Sequence, residues 1–211
     1  MFFIFWSRCR VIQKAITSIS QDDLAELVAQ FHGQVLALIH DCHGNHVIQR
    51  CIQTLSYFAN AAQSLGDTDG SSEMMDQLQF IINDVIENIE SLSLHRYGCR
   101  VVQRSIEYCL EKQRNAVLEA IIACNGKIIE DQYGNYVVQQ AILTGGDMHR
   151  DALLNTITKD EETLFYLSKQ KYASNVVEKM LERGSVEQKD LMMKEMLKVS
   201  SDVSLFSSSS T

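Results

Sequence analysis

The sequence predicts an all-α solenoid, a chain of helical repeats stacked one behind another. Three observations carry this expectation. The 211 residues include no proline and only 10 glycines, with 45% hydrophobic side chains; helices can therefore run without breakers and still bury a sizeable core. A five-residue pattern occurs five times: Cys9-Arg-Val-Ile-Gln13, Asn45-His-Val-Ile-Gln49, Cys99-Arg-Val-Val-Gln103, Asn135-Tyr-Val-Val-Gln139 and Ser174-Asn-Val-Val-Glu178. Its first members lie 36, 54, 36 and 39 residues apart, a period that belongs to helical arrays. Between the copies, apolar residues fall at helical spacing. One such unit cannot bury both its faces, so neighbours must stack into a superhelix with a concave surface.

The elements follow in order. Met1-Phe2-Phe3-Ile4-Phe5-Trp6 is apolar, but Ser7, Arg8 and Arg10 end the run, short of the roughly 7–15 residues of a signal-peptide core. No stretch approaches the ~18 apolar residues of a membrane span, and a soluble protein is expected. A first pattern-bearing helix covers about 9–17. Leu24, Leu27, Val28 and Phe31 then mark a helix behind Asp22-Asp23, acidic residues suited to a helix start. The second pattern opens a helix over 45–57 with Gly44 before it. A loop is expected at about 60–72, where Gly66-Asp-Thr-Asp-Gly-Ser-Ser72 accounts for the long spacing. Leu78, Ile81, Ile82, Val85 and Ile89 form the next amphipathic face. Pattern helices at 99–110, 135–143 and 174–183 complete the series, the first two behind Gly98 and Gly134, with Val117, Ile121 and Ile122 marking a helix between them. Val186–Val199 reads as the opening helix of another unit. The repeat domain thus spans 1–199, and 200–211 reads as a Ser-rich disordered tail.

Within each pattern the first and fifth residues are i and i+4 on one helix and share a face. The second residue is rotated by about 100°, and the β-branched pair turns inward, so three exposed side chains per repeat are expected on the concave surface. Asn with Gln offers amide donors and acceptors that match O2, N3–H and O4 of uracil. Gln beside a small Cys matches the N1/N6 edge of adenine. Ionised Glu178 accepts only, which suits the N1–H and N2–H₂ donors of guanine, with Ser174 beside it. Arg10, His46, Arg100 and Tyr136 are planar groups on which bases stack, at roughly 1–3 kcal/mol per base; Asn175 is the weakest of these platforms.

The formal charge is −8, which argues against nucleic-acid binding by bulk positive charge. The distribution is uneven, however. Residues 1–17, 41–53, 95–106, 130–142 and 168–184 hold 11 Lys/Arg and 5 Asp/Glu, against 8 and 22 in the rest, so an acidic chain still carries a basic stripe where phosphates could run. The six cysteines form no C-x-x-C pair and read as reduced thiols of a cytosolic or nuclear protein; Cys51, Cys109 and Cys124 read as buried. His40, Cys42, His43 and His46 have metal-ligand character, but in the repeat frame His43 matches Tyr97, Tyr133 and Tyr172, and His46 matches Arg100 and Tyr136. No metal and no cofactor are expected. No nucleophile, base and orienting group recur together, so an enzyme is not expected.

At these residues the sequence resembles the Pumilio/PUF family of RNA-binding proteins, whose helical repeats each read one base with two or three side chains. The order Cys-Arg…Gln, Asn-His…Gln, Cys-Arg…Gln, Asn-Tyr…Gln, Ser-Asn…Glu is similar to repeats three to seven of the usual eight, over roughly residues 5–198. The resemblance implies a right-handed superhelix of three-helix repeats, with RNA running antiparallel to the protein. It assigns guanine to Ser174/Glu178, uracil to Asn135/Gln139, adenine to Cys99/Gln103, uracil to Asn45/Gln49 and adenine to Cys9/Gln13. The implied site is 5′-GUAUA-3′ within UGUA-type elements of messenger 3′ untranslated regions. It further implies post-transcriptional repression of translation or mRNA stability in the cytoplasm, with co-repressor or deadenylase proteins as partners. Two ends depart from the family pattern: Ser7 and Arg8 stand where Tyr97-Gly98 and Tyr133-Gly134 stand later, and a Ser-rich tail takes the place of a final reading helix. The chain therefore reads as truncated at both ends. The alternatives are an armadillo/HEAT-like scaffold gripping a peptide, and a nucleolar PUF-like factor in rRNA processing.

Overall fold

A computed structural model describes residues 9–124 and 126–207, which form thirteen helices and no strand. In order these are α1 (Cys9–Ile16), α2 (Gln21–Ala29), α3 (Val35–His40), α4 (Gly44–Ser64), α5 (Thr68–Glu87), α6 (Ile89–Ser93) and α7 (Gly98–Tyr108). There follow α8 (Glu111–Ala123), α9 (Gly134–Thr144), α10 (Asp147–Ile157), α11 (Glu161–Lys169), α12 (Ala173–Arg183) and α13 (Val186–Ser207). Every copy of the five-residue pattern falls at the start of a helix: α1, α4, α7, α9 and α12.

The helices gather into two compact units, residues 1–120 and 121–211. In the first, α4 is central; it packs against α1 on one side and α7 on the other, with α3 and α5 against it. The β-branched pairs of the pattern supply its core, Val47 and Ile48 from α4 and Val101 and Val102 from α7 all being buried. Each such side chain contributes roughly 1.5–3 kcal/mol by leaving water. On α1 the same position behaves differently: Val11 is 64% exposed. In the second unit α12 packs on α9, and Val137, Val138, Val176 and Val177 are buried in the same way.

Successive repeats are also joined by polar side chains. Within the first unit Gln113 Nε2 donates to the Met75 carbonyl and to Gln79 Oε1, both at 3.0 Å. Within the second, Gln188 Nε2 donates to Asp151 Oδ1 at 2.6 Å and Tyr166 Oη donates to Glu130 Oε2 at 2.9 Å. Gln113 and Gln188 are buried; their amides satisfy acceptors that burial would otherwise leave costly.

The stretch 60–72 is not a loop. Helix α4 continues to Ser64 and α5 begins at Thr68, leaving only Leu65, Gly66 and Asp67 between them. Gly66 takes φ +78° and turns the chain, the left-handed conformation that glycine adopts without penalty. Asp67 then accepts the Gly70 N–H at 2.9 Å and caps α5. Packing decides the outcome, since Ala59, Met74 and Leu78 are buried between the two helices. The inserted residues thus lengthen both helices: α4 has 21 residues where α7, α9 and α12 have 11, an added reach of about 15 Å.

Other elements keep their expected places with shifted ends. Helix α2 starts behind Ser20, whose Oγ accepts the Asp23 N–H at 3.2 Å, and ends at Ala29; buried Phe31 lies in the turn that follows. Ile89 belongs to α6, because α5 stops at Glu87. Helix α13 runs on to Ser207, past residue 199 where the sequence places the start of a tail; with neither proline nor glycine after Gly184 nothing in the chain stops it earlier. Residues 208–211 lie outside the described residues. Among the described residues no helix is long and apolar enough to cross a membrane.

Candidate nucleic-acid interface

The pattern-bearing helices α4, α7 and α9 begin in one way, set by a residue four positions before the first residue of the pattern. Before α4, Asp41 Oδ1 accepts the backbone N–H groups of His43 and Gly44 at 2.8 and 2.7 Å. Before α9, Asp131 Oδ1 accepts those of Tyr133 and Gly134 at 2.7 and 2.8 Å. A carboxylate there satisfies two of the donors that every helix start leaves open and complements the helix dipole. Before α7 the residue is His95, and its Nδ1 accepts from Tyr97 N–H at 3.3 Å and Gly98 N–H at 3.1 Å. Gln170 holds the corresponding position before α12. The glycines that open α4 and α7 allow the close crossing with the preceding helix: a Cβ on Gly44 would sit 2.6 Å from the Leu38 carbonyl, and one on Gly98 2.6 Å from that of Leu92.

This start fixes the amide pairs. The carbonyl of Asp41 accepts Asn45 Nδ2 at 2.8 Å, and Asn45 Oδ1 accepts Gln49 Nε2 at 2.8 Å. In α9 the Asp131 carbonyl accepts Asn135 Nδ2 at 2.8 Å, and Asn135 Oδ1 accepts Gln139 Nε2 at 2.9 Å. Asn45 and Asn135 are 2% and 0% exposed, and Cys99 is 1% exposed. Three exposed side chains per repeat was therefore the wrong expectation for these repeats. The first member lies a layer below, and the fifth and second members meet solvent. Sharing a face at i and i+4 does not give equal depth, because the helix start turns toward the preceding carbonyl. Gln49, Gln103 and Gln139 are half-buried, Ser174 half-buried and Glu178 exposed; Arg10, His46, Arg100, Tyr136 and Asn175 are exposed. Gln13 is half-buried on α1, and the side chain of Cys9 lies outside the described residues.

Cys99 changes the pair on α7. Its thiol donates weakly to the Arg96 carbonyl at 3.6 Å, and it offers Gln103 no strong acceptor. Gln103 Nε2 is shielded from solvent and has no hydrogen-bond partner. Leaving such a donor unmade costs about 1–3 kcal/mol. The structure thus contains two kinds of pair, one whose Gln Nε2 is held by Asn and one whose Gln Nε2 has no partner.

Within the first unit, packing of α4 against α7 brings the Asn45/Gln49 and Cys99/Gln103 pairs onto neighbouring helices; within the second, α9 against α12 does so for Asn135/Gln139 and Ser174/Glu178. The capping residues Asp41, His95 and Asp131 were not singled out in the sequence. Their shared offset from the pattern was the available signal, hidden by the change from carboxylate to imidazole. Cys51, Cys109 and Cys124 are not reactive groups: burial pushes the Cys51 and Cys109 thiols up to about 12, and Cys124 is buried, whereas Cys42 is exposed. Among the described residues no three His, Cys, Asp or Glu side chains converge as a metal site; His40 Nδ1 instead lies 2.7 Å from the Leu36 carbonyl.

Comparison with known proteins identifies the family and the fold. The sequence matches the Pumilio-family RNA binding repeat at residues 9–32, 34–57, 88–122, 128–158 and 164–197. The chain belongs to the Pumilio (PUF) family of RNA-binding repeat proteins, which are not enzymes, and its fold is the PUF α-solenoid. It is 30% identical over 82% of its length to a Pumilio domain-containing protein, C6G9.14, of Schizosaccharomyces pombe, covering 22% of that protein. It is 32% identical, again over 82% of its length, to a putative chloroplastic pumilio homolog 8 of Arabidopsis thaliana, covering 30% of it. Among solved structures, PUF-8 in complex with PBE-RNA matches 90% of the chain at 32% identity and TM-score 0.74. The Puf3 RNA binding domain bound to a Cox17 RNA 3′ UTR recognition sequence matches 88% at 35% identity and TM-score 0.71. The chain spans about half of each of these two domains and less than a third of the two curated relatives. The segment 58–87, which holds the lengthened part of α4 and all of α5, falls between matched repeats.

Proposed function

We propose that this protein binds single-stranded RNA in a sequence-specific way, one base per repeat, with the core 5′-GUAUA-3′ inside UGUA-type elements of messenger 3′ untranslated regions. Ser174/Glu178 reads the 5′ guanine, Asn135/Gln139 the uracil, Cys99/Gln103 the adenine, Asn45/Gln49 the next uracil and Cys9/Gln13 the last adenine. Arg10, His46, Arg100, Tyr136 and Asn175 stack against the bases. The observation that carries the reading is the contrast between α7 and its counterparts. Gln49 and Gln139 each spend one Nε2 hydrogen on a buried Asn, whereas the Gln103 donor is unpaired. An adenine edge supplies both the acceptor that Gln103 Nε2 lacks and a donor for its Oε1. The burial of Asn45 and Asn135 refines the chemistry, since the uracil edge meets a Gln whose rotamer Asn has fixed, and such pre-ordering lowers the entropy lost on binding.

The consequence for the cell is repression of translation or control of mRNA stability, exerted in the cytoplasm through co-repressor or deadenylase partners. PUF-8 and Puf3, named above with their RNAs, support the RNA-binding part of this reading by family likeness. Selection of bound RNAs from a random pool tests it. Enrichment of GUAUA is the expected result, and recovery of no motif, or of one unrelated in register, would refute the assignment. A relaxed motif drawn from ribosomal RNA would favour the nucleolar role instead.

A further inference from the structure

We propose that His95 is a pH-sensitive positioning residue for the α7 reading pair: its neutral ring clamps the start of α7, and protonation releases it. The inference rests on the RNA reading above, but the clamp itself stands on the geometry. His95 Nδ1 accepts two backbone N–H groups, those of Tyr97 and Gly98, so that nitrogen carries no hydrogen and the ring is neutral. The corresponding clamps of α4 and α9 are the carboxylates of Asp41 and Asp131. Of these three clamps the one on α7 is an imidazole, which loses its acceptor when it gains a proton in mild acid.

The surroundings oppose charge on this ring. His40 of α3 packs on it with centroids 4.6 Å apart and planes at 57°, and Tyr97 meets it edge-on at 5.6 Å. Burial, then His40, then Arg96 hold its pKa below the usual histidine range. A proton on Nδ1 would strip both N–H groups of their acceptor and set a cation at the positive end of the α7 dipole. The sign follows. A histidine whose folded pKa is depressed contributes stability above its unfolded value near 6.5, and that contribution is lost as pH falls through the folded value. Release of the clamp frees the first turn of α7, from which Cys99 and Arg100 project and on which Gln103 depends. RNA affinity as a whole is a poor reporter, because an added cation attracts phosphate. Discrimination at the single nucleotide facing α7 is the informative quantity.

Two measurements on the full chain test this between about pH 7.5 and 5. Hydrogen exchange of the Tyr97 and Gly98 amides in the free protein, corrected for intrinsic rates, reads the clamp. The ratio of Kd values for two RNAs differing only in adenine or uracil at the position facing α7 reads the consequence. We expect protection and discrimination to fall together by about threefold or more as pH drops, and both to become flat in His95→Asp, which restores a carboxylate clamp. Protection or discrimination that stays flat in the parent, or that falls equally in His95→Asp, overturns the proposal. Absence of base-selective binding at every pH would instead overturn the RNA reading, with amide exchange still deciding the clamp.

Discussion

Replacing Cys99 with Asn should convert the α7 pair from one kind into the other. The backbone is already arranged for it: Cys99 N–H bonds to the His95 carbonyl at 3.0 Å, as Asn45 and Asn135 N–H bond to the Asp41 and Asp131 carbonyls at 3.2 Å. An Asn side chain there would donate Nδ2 to the His95 carbonyl and accept the orphaned Nε2 of Gln103. Two hydrogen bonds at about 1 kcal/mol each offset much of the desolvation of the new amide, and the unmade-donor cost at Gln103 disappears. Global stability should therefore change by less than about 1 kcal/mol, although a polar group has been buried in place of a thiol. Base preference should move by more. With Gln103 pinned, an adenine leaves one polar group unmatched, a penalty of about 1–3 kcal/mol or roughly 5- to 150-fold in relative affinity. The assay is fluorescence anisotropy with RNAs that carry adenine or uracil opposite α7, together with urea unfolding of both proteins. Cys99→Ser, too short to reach Gln103, is the control and should retain adenine preference. Unchanged preference in Cys99→Asn, or destabilisation beyond about 3 kcal/mol, would refute the reasoning from paired amides.

Further expectations follow from the same geometry. Glu178→Gln should abolish the preference for guanine opposite α12 while leaving the other positions intact, measured by competition with single-base RNA variants; retention of that preference removes Glu178 as the acceptor. Asp131→Ala deletes an acceptor shared by two N–H groups and should lower stability by about 2 kcal/mol in urea unfolding, with Asp131→Asn recovering part of it. The buried thiols give a pH dependence. Because Cys51 and Cys109 hold their protons to about 12 when folded, their contribution is intact below the unfolded value near 8.5 and declines as pH rises above it. Iodoacetamide at pH 8 should accordingly label exposed Cys42 at once and reach Cys51 and Cys109 only on unfolding, as peptide mapping would show.

The periodic pattern carried most of the fold. Val47, Ile48, Val101, Val102, Val137, Val138, Val176 and Val177 are buried where their spacing put them, Val11 on α1 being the exception, and the polar partners emerge on the helices expected. Depth was not legible. Asn45 and Gln49 share a face, yet a close crossing near Gly44 sinks one and leaves the other near the surface. The capping position was hidden because Asp41, His95 and Asp131 perform one geometric task with two chemistries, so no single letter runs through all three. The stretch 60–72 looked like a loop because its residues are small and polar. Long-range burial of Ala59, Met74 and Leu78 overrides that local preference.

The backward bonds of Gln113, Tyr166 and Gln188 bear on how the chain is made. Their partners lie 34 to 38 residues upstream in sequence, so the surface each repeat docks on has already left the ribosome when the repeat itself emerges. Assembly can then advance stepwise during synthesis, with short loop closures and no wait for a distant terminus. A lesion in one such docking bond is a local fault, confined to its own step of the ladder.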